Sequence, residues 1–538
     1  MSDCDYRLQN AERRTQNCRT APYQVRAVGG LLLAVGLLFL PAFPSSRLLA
    51  QDLENGTVLY EKWCAGCHGL TGTGDGEAAN WMIPRPRDFT MALYQIRTTA
   101  SGELPTDDDL RKVIDEGMPG TTMPGWRDKF NSSERDDLIA YIKSFSRFFD
   151  GADPEPISIG GAPRVTADGL AEGRTLFEEE VQCMRCHGPQ GRGDGTSASE
   201  LTDDMGVPVR AADLSEPWNF NGGGSTEDIF MRIRTGLDGT PMPSNSDVID
   251  AGIVTEDQLW RVAQYVASLS TDGPSRRRDV IRAALVETGL PNGPEDPMWD
   301  ALEDSYVPMV GQITIAPRWF VNGVDGLYVK AMHDGERLAL HVAWNDPSAS
   351  PDPEWQPFFD GVVASIAAPD EPHVETQGPD RLTIQFPVTP PEGMELPFFL
   401  AGDARNPVYQ IRWQSDPDQI EEGTATGLGT FAPGTGSDVT HTAVFADGRW
   451  TVQFTRSLAA SDPSIAASFT PGESTPMAFY AADGTNAEDD VRGAVSAWYA
   501  IYLDVPLPPQ VFIAPVLATL LTAGLGIVVV MLAQRQST

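Results

Sequence analysis

Cys64-Ala-Gly-Cys67-His68 is repeated as Cys183-Met-Arg-Cys186-His187, and the rest of the chain reads outward from this pair. A C-x-x-C-H run is the pattern of covalent haem attachment. The two thiols bond the porphyrin edge and the adjacent imidazole reaches the iron. The downstream sequence repeats with it. Met123 lies in Gly120-Thr-Thr-Met-Pro124, and Met242 lies in Gly239-Thr-Pro-Met-Pro243. His68 to Met123 is 55 residues (123 − 68), and His187 to Met242 is also 55 (242 − 187). The two copies are offset by 119 residues (183 − 64), which also carries Gly74-Asp-Gly76 onto Gly193-Asp-Gly195. A lone C-x-x-C also serves as a redox dithiol or half a zinc site. Two copies with matched histidine and methionine argue against those uses. Met118 is a rival to Met123, but the position opposite it in the second copy is Leu237, so the repeat selects Met123.

On these motifs, residues 52–149 and 168–270 each resemble a class I cytochrome c domain. The resemblance implies two all-α domains and two covalent haem c groups. One iron would lie between His68 and Met123, the other between His187 and Met242. The local pattern agrees. Residues 52–63 read as a helix that delivers Cys64, and Asp107 to Gly117 as a helix ending at glycine. Asn131 or Ser132 caps a helix with Leu138, Ile139, Ile142 and Phe145 on one side. In the second copy Thr226 to Ile233 mirrors the middle helix, and Thr255 caps Glu256 to Leu269. Gly69 to Gly76 reads as a loop whose backbone approaches the porphyrin. Trp63 and Tyr141 read as core aromatics.

Length and composition set the frame. A chain of 538 residues exceeds one ordinary core, so about three domains are expected. The formal charge of −36 argues against nucleic acid, whose phosphates need basic patches. It fits a solubilising surface or a face for a basic redox partner. Four of the six cysteines belong to the haem motifs, leaving Cys4 and Cys18 before the first apolar run. That run, Ala27 to Leu40, follows five arginines and reads as a signal peptide cleaved near Ala50 or as an uncleaved anchor. Val511 to Ala533 is 23 residues without a charge, enough to span a bilayer. Arg535 follows it, which places the C-terminus in the cytoplasm and the preceding domains in the periplasm of a bacterium. Residues 150–163 and 271–278 read as linkers, the second with the basic cluster Arg276–Arg278.

From about Ser305 the periodicity changes to two. Leu338, Leu340, Val342 and Trp344 alternate with Ala339, His341 and Ala343, and Leu382, Ile384, Phe386 and Val388 alternate likewise. Asp334-Gly335 and Asp447-Gly448 are hairpin signals. Short strands between Pro/Gly turns imply a β-sandwich. Val329-Lys-Ala-Met-His-Asp-Gly-Glu, Val342-Ala-Trp-Asn-Asp-Pro347, Pro397-Phe-Phe-Leu-Ala-Gly402 and Gly493-Ala-Val-Ser-Ala-Trp498 resemble the haem-binding domain of ethylbenzene dehydrogenase gamma subunits. Members of that family hold haem b between a methionine and a lysine. The matching positions here are Leu400 and Gly493, and neither side chain offers a lone pair. Lys330 and Met332 share one face of a strand and cannot flank one iron. His333, His341, His373 and His441 remain as alternative ligands, each read as a surface or turn residue. The expectation is a domain that keeps the fold and holds no haem b.

The expected organisation is multidomain. Residues 1–50 form the n-region with a signal peptide or N-terminal anchor. Residues 51–150 and 164–271 form two all-α cytochrome c domains. Residues 295–505 form an all-β sandwich, and 511–533 a C-terminal transmembrane helix. The expected function is electron transfer at a bacterial cell membrane. The expected partners are redox proteins: a quinol-oxidising complex, a terminal oxidase or a molybdenum oxidoreductase. In the last case the chain is a haem-containing electron-transfer subunit, of ethylbenzene dehydrogenase or nitrite oxidoreductase type. A di-haem peroxidase needs an open axial position, and both motifs come with a methionine.

Overall fold

The computed structural model describes residues 52–270, 280–366, 374–391, 395–434, 438–506 and 510–536. The N-terminal segment with Cys4 and Cys18, the Arg276–Arg278 cluster and His373 lie outside the described residues.

The two C-x-x-C-H regions are helical, and capping chemistry sets where their helices begin. Asp52 starts Leu53–Trp63 by accepting from the amides of Glu54 and Asn55. Reciprocal capping boxes start Asp107–Glu116, Ser132–Lys143, Thr226–Thr235 and Glu256–Leu269. Gly117 and Gly236 end the middle helix of each copy. In both regions the first and last helices cross in contact. A Cβ on Gly56 would stand 2.3 Å from Asp137 O, and one on Gly173 would stand 2.2 Å from Arg261 O. Only glycine permits that approach. The aromatic cores differ: Tyr60, Tyr141 and Phe145 cluster in the first, while Phe230 and Trp260 stack at 3.9 Å in the second.

The β region holds fourteen strands among the described residues: β1 (Val280–Leu285), β2 (Ser305–Pro308), β3 (Val310–Gly311), β4 (Gly326–His333), β5 (Arg337–Asn345), β6 (Arg381–Pro387), β7 (Val408–Gln414), β8 (Gln419–Ala425), β9 (Ala432–Pro433), β10 (Thr440–Phe445), β11 (Arg449–Ser457), β12 (Ser474–Ala482), β13 (Ala494–Val495) and β14 (Tyr499–Leu503). They run in the order β10-β11-β5-β4-β1-β14-β12-β6-β7-β8-β9, almost all antiparallel, with β1 parallel to both neighbours. The sheet folds over its own core. Trp344 on β5 and Trp450 on β11 meet Trp413 on β7 at 5.8 and 4.9 Å between ring centres. Both hairpin signals hold: Asp334-Gly335 joins β4 to β5, and Asp447 and Gly448 join β10 to β11 with φ of 51° and 66°.

Two expectations are corrected. The sheet begins at Val280, not at 295, because β1 lies between β4 and β14. The region is not purely β, since Gln356–Ile366 is a helix whose Phe358, Phe359 and Val362 are buried. The period-two stretch of β5 is covered on both faces. Its residues Leu338–Trp344 are all buried, because the turn carrying Trp299 covers the second face beside Ala339 and His341.

The C-terminal helix runs Gln510–Gln536. Its Ile513–Arg535 stretch of 23 residues is long and apolar enough to cross a membrane.

The helical regions and the sheet dock on one another. Arg97, fully buried, donates to the carbonyls of Tyr94, Ala100 and Thr235 and to Asp238 across the first interface. Arg232 returns the contact at Gln95 O and Arg97 O. Across the second interface Asn345 donates to Asp213 at 2.6 Å, Tyr328 to Glu216 at 2.6 Å, and Arg210 to Asp483. The Trp344→Ala substitution empties the centre of the sheet core. It should lower the stability of the β region by about 3–5 kcal/mol, measured as a shift in its urea midpoint.

Candidate functional site

Each C-x-x-C-H run is one turn of helix. His68 N donates to Cys64 O at 2.9 Å, and His187 N to Cys183 O at 3.0 Å. Residues i, i+3 and i+4 share a helix face, so two thiols and an imidazole are presented on one side. None of the four cysteines is paired in a disulfide. Burial, then the neighbouring Cys67, pushes the Cys64 thiol up to about 12. Burial likewise pushes Cys183 up to about 12.

The imidazoles are oriented from behind. His68 Nδ1 is 3.0 Å from Arg87 O, and His187 Nδ1 is 2.9 Å from Ala212 O. A carbonyl acceptor fixes the tautomer with the proton on Nδ1 and leaves Nε2 as the lone-pair donor. Burial lowers the pKa of both rings, which keeps them in the neutral, ligating form. These carbonyl partners are missed by sequence reasoning, because a backbone oxygen carries no residue signature. The repeat does not reveal them either: the separation is 19 residues in the first copy and 25 in the second.

The methionine loops match bond for bond. Met118 N donates to Met123 O at 3.0 Å, and Leu237 N to Met242 O at 3.1 Å. Thr121 and Thr240 hydroxyls donate to the carbonyls of Met118 and Leu237 at 2.7 Å each. Gly76 and Gly195 lie close against the cysteine turn of their own copy. A Cβ on Gly76 would stand 2.6 Å from the Cys67 backbone, and one on Gly195 would stand 2.3 Å from Arg185 O. The loop glycines therefore press on the cysteine turn itself.

Cys64, Cys67, His68 and Met123 line one apolar cavity of about 180 Å³, and Met118 and Trp63 line it too. Trp63 is thus a cavity wall, packed on Trp126 at 5.7 Å, whereas Tyr141 is core. Cys183, His187 and Met242 line a second cavity of about 320 Å³, with Cys186 on the same turn as Cys183. The second cavity borrows walls: Pro119–Thr121 from the first region, and Val321, Phe358 and Val362 from the β region. Pro84 and Thr121 line both cavities. Two thiols, a neutral imidazole and a thioether around an apolar space fit a covalent haem in each region.

Residues 51–142 match the family model described as cytochrome C oxidase, cbb3-type, subunit III, and residues 170–270 match the cytochrome c model. The chain carries two cytochrome c-type domains. These domains bind haem c covalently and transfer electrons. Among relatives, a Haloferax mediterranei protein assigned as respiratory nitrate reductase heme subunit ORF7 is 29% identical over 223 residues, 41% of this chain and 70% of that one. The cbb3-type cytochrome c oxidase subunit CcoP of Rhodobacter capsulatus is 25% identical over 260 residues, 45% of this chain and 70% of that one. A solved chain of a Kuenenia stuttgartiensis reducing HAO-like protein complex is 42% identical, spanning 40% of this chain and 96% of its own, with a TM-score of 0.38.

The two positions that the resemblance assigns to haem b ligands do not fit it. Leu400 lines a polar cavity of about 180 Å³ with Arg381, Gln385, Gln410, Arg412 and Asp490, and none of its lining residues is His, Met, Cys or Lys. A Cβ on Gly493 would already stand 2.5 Å from Ala481 O and 2.7 Å from the Tyr480 hydroxyl, so no lysine rises there. The expectation of surface histidines is corrected for two of them. His333 is buried with Nε2 2.8 Å from Asp504 O. His341 is buried against Trp299, and burial, then Lys330, pushes it down to about 4. They are buried because both faces of the β4–β5 hairpin are covered. His441 pairs with Asp418 at 2.9 Å. Lys330 and Met332 do share a face, both meeting the Trp299 turn.

Glu216 lines the second cavity and is also buried. Burial first, then Asp213, pushes it up to about 8 from 4.5, against the hydrogen bond from Tyr328. Its folded value lies above its unfolded one, so the native chain holds the extra proton between them. Stability therefore falls as pH rises from about 4.5 to about 8. Glu216→Gln keeps an acceptor for Tyr328 without the charge. It should flatten the decline in melting temperature between about pH 5 and pH 8, read by circular dichroism; an unchanged profile would contradict the assignment.

Proposed function

We propose that the chain is a membrane-anchored two-haem electron relay. Cys64 and Cys67 hold the first haem c, with His68 and Met123 as axial ligands. Cys183 and Cys186 hold the second, with His187 and Met242. A covalently held haem supplies one-electron chemistry, and the chain's residues position it, exclude water and set its axial field. Thioether ligation raises the reduction potential. The observation that carries the reading is the pair of cavities sharing Pro84 and Thr121 as walls. Groups held on either side of so thin a partition exchange electrons without a partner protein between them.

The relay occupies residues 51–150 and 164–271, followed by a β domain that starts at Val280 and ends near 505. We read that domain as the fold of ethylbenzene dehydrogenase gamma subunits without its haem b. Its role here is to wall the second cavity with Val321, Phe358 and Val362, which favours the less charged reduced state of the group inside. The helix over 511–533 anchors the relay, with the haem domains periplasmic and the C-terminus cytoplasmic. Its partners are then membrane redox complexes, a quinol-oxidising complex or a terminal oxidase. Similarity to an assigned nitrate reductase heme subunit favours a second reading, the electron-transfer subunit of a molybdenum oxidoreductase.

Flash reduction of the purified holoprotein should give redistribution of the electron between two haems, first-order and independent of protein concentration. A rate proportional to concentration would sink the relay. Met123→Ala and Met242→Ala should each remove one sulfur-to-iron band from the oxidised spectrum, and Met118→Ala none. Loss with Met118→Ala alone would reassign the first ligand.

A further inference from the structure

Three carboxylates converge where the β region meets the second cytochrome c-type domain. Asp346 follows β5, Asp380 precedes β6 and Asp483 follows β12. All three are at most 1% exposed, and one oxygen from each lies within 4.8 Å of the others.

Their hydrogen bonds decide what the cluster can hold. Asp380 Oδ1 accepts from Gly484 N at 3.0 Å, and its Oδ2 from Ser350 N at 2.7 Å and Trp450 Nε1 at 2.9 Å. Asp483 Oδ1 accepts from Thr485 N at 2.9 Å, the Thr485 hydroxyl at 2.7 Å and Asn486 N at 3.2 Å; its Oδ2 accepts from Arg210. Each of these oxygens accepts a hydrogen bond; Asp380 Oδ1 and Asp483 Oδ2 take one each of the bonds named, which leaves both a second lone pair for a further ligand. Asp346 is different. Its Oδ1 accepts from Ser348 N at 3.1 Å, while its buried Oδ2 has no hydrogen-bond partner among the described residues.

The charge does not balance either. Arg210 brings one positive charge to three carboxylates, and Glu488, also buried, takes the Asp483 amide from the other side. An unpaired charge in such a place is costly, and buried carboxylates are met by a cation or a metal. Oxygen ligands suit a hard ion. Magnesium dehydrates reluctantly and keeps several waters, whereas calcium accepts an all-protein set of oxygens, so three carboxylates at most 1% exposed suit calcium.

We infer that Asp346, Asp380 and Asp483 form a calcium site, with Asp346 Oδ2 as the ligand that has no other partner. Arg210 lines the second cavity and binds Asp483. The ion therefore fixes the turn over Asp483–Asn486 and, through Arg210, the seat of the second cytochrome c-type domain on the sheet.

The test uses the full-length holoprotein purified without chelator. Metal analysis should find one calcium per chain besides the haem iron. Dialysis against EGTA should lower the melting temperature, and CaCl2 should restore it where equimolar MgCl2 does not. Asp346→Asn should weaken calcium binding at least tenfold by titration calorimetry with the haem spectrum unchanged. If that variant fails to fold, the wild-type metal content and EGTA response decide alone. No bound calcium together with a melting temperature unmoved by EGTA and CaCl2 overturns the site. So does equal restoration by magnesium, or stabilisation by acid alone, which would put a shared proton on Asp346.

Discussion

Arg97 carries a positive charge with no exposure to solvent, and the seating of one cytochrome c-type domain on the other depends on how that charge is met. A buried ion without partners costs several kcal/mol. Tyr94 and Ala100 provide two acceptors from its own domain, and Thr235 and Asp238 provide two from the other. The guanidinium meets all four of these acceptors only in the docked arrangement, so the contact selects one relative placement. Arg232 crosses in the opposite direction to Gln95 and Arg97 carbonyls, which ties the helix carrying it to the loop before the first middle helix. The shared walls of the two cavities follow from this placement.

The two cavities are not equivalent, although the motifs that line them are. Every wall of the first comes from residues 63–142. The second takes part of its wall from the β region and meets a buried polar network of Glu216, Tyr328 and Tyr306. A cavity closed by a second domain is drier and holds charged groups away from water, which is why Glu216 is pushed upward there. The β region thus bears on the second cavity by packing and by electrostatics.

Covalent chemistry and local capping were legible in the chain. Cysteines at i and i+3 with histidine at i+4 share one face of a helical turn. Asn131 and Thr255 announced the helix starts at Ser132 and Glu256, because a cap acts within three residues. The 55-residue spacing marked both methionine loops, whose hydrogen bonds repeat as the sequence does. Alternation in β5 and the Asp-Gly hairpins reported strands for the same local reason.

What only the tertiary structure decided involves residues far apart in the chain. No local pattern tells that the second face of β5 is covered and that His333 and His341 are buried, since Trp299 and Asp504 reach them from other elements. β1 is six residues without a hairpin signal, and it became part of the sheet by parallel pairing to β4 and β14. The carbonyls behind His68 and His187 are anonymous in sequence. The meeting of Asp346, Asp380 and Asp483, up to 137 positions apart (483 − 346), is likewise invisible there. Backbone periodicity and side-chain chemistry act over a few residues. Burial and charge balance are set by whichever distant surface arrives.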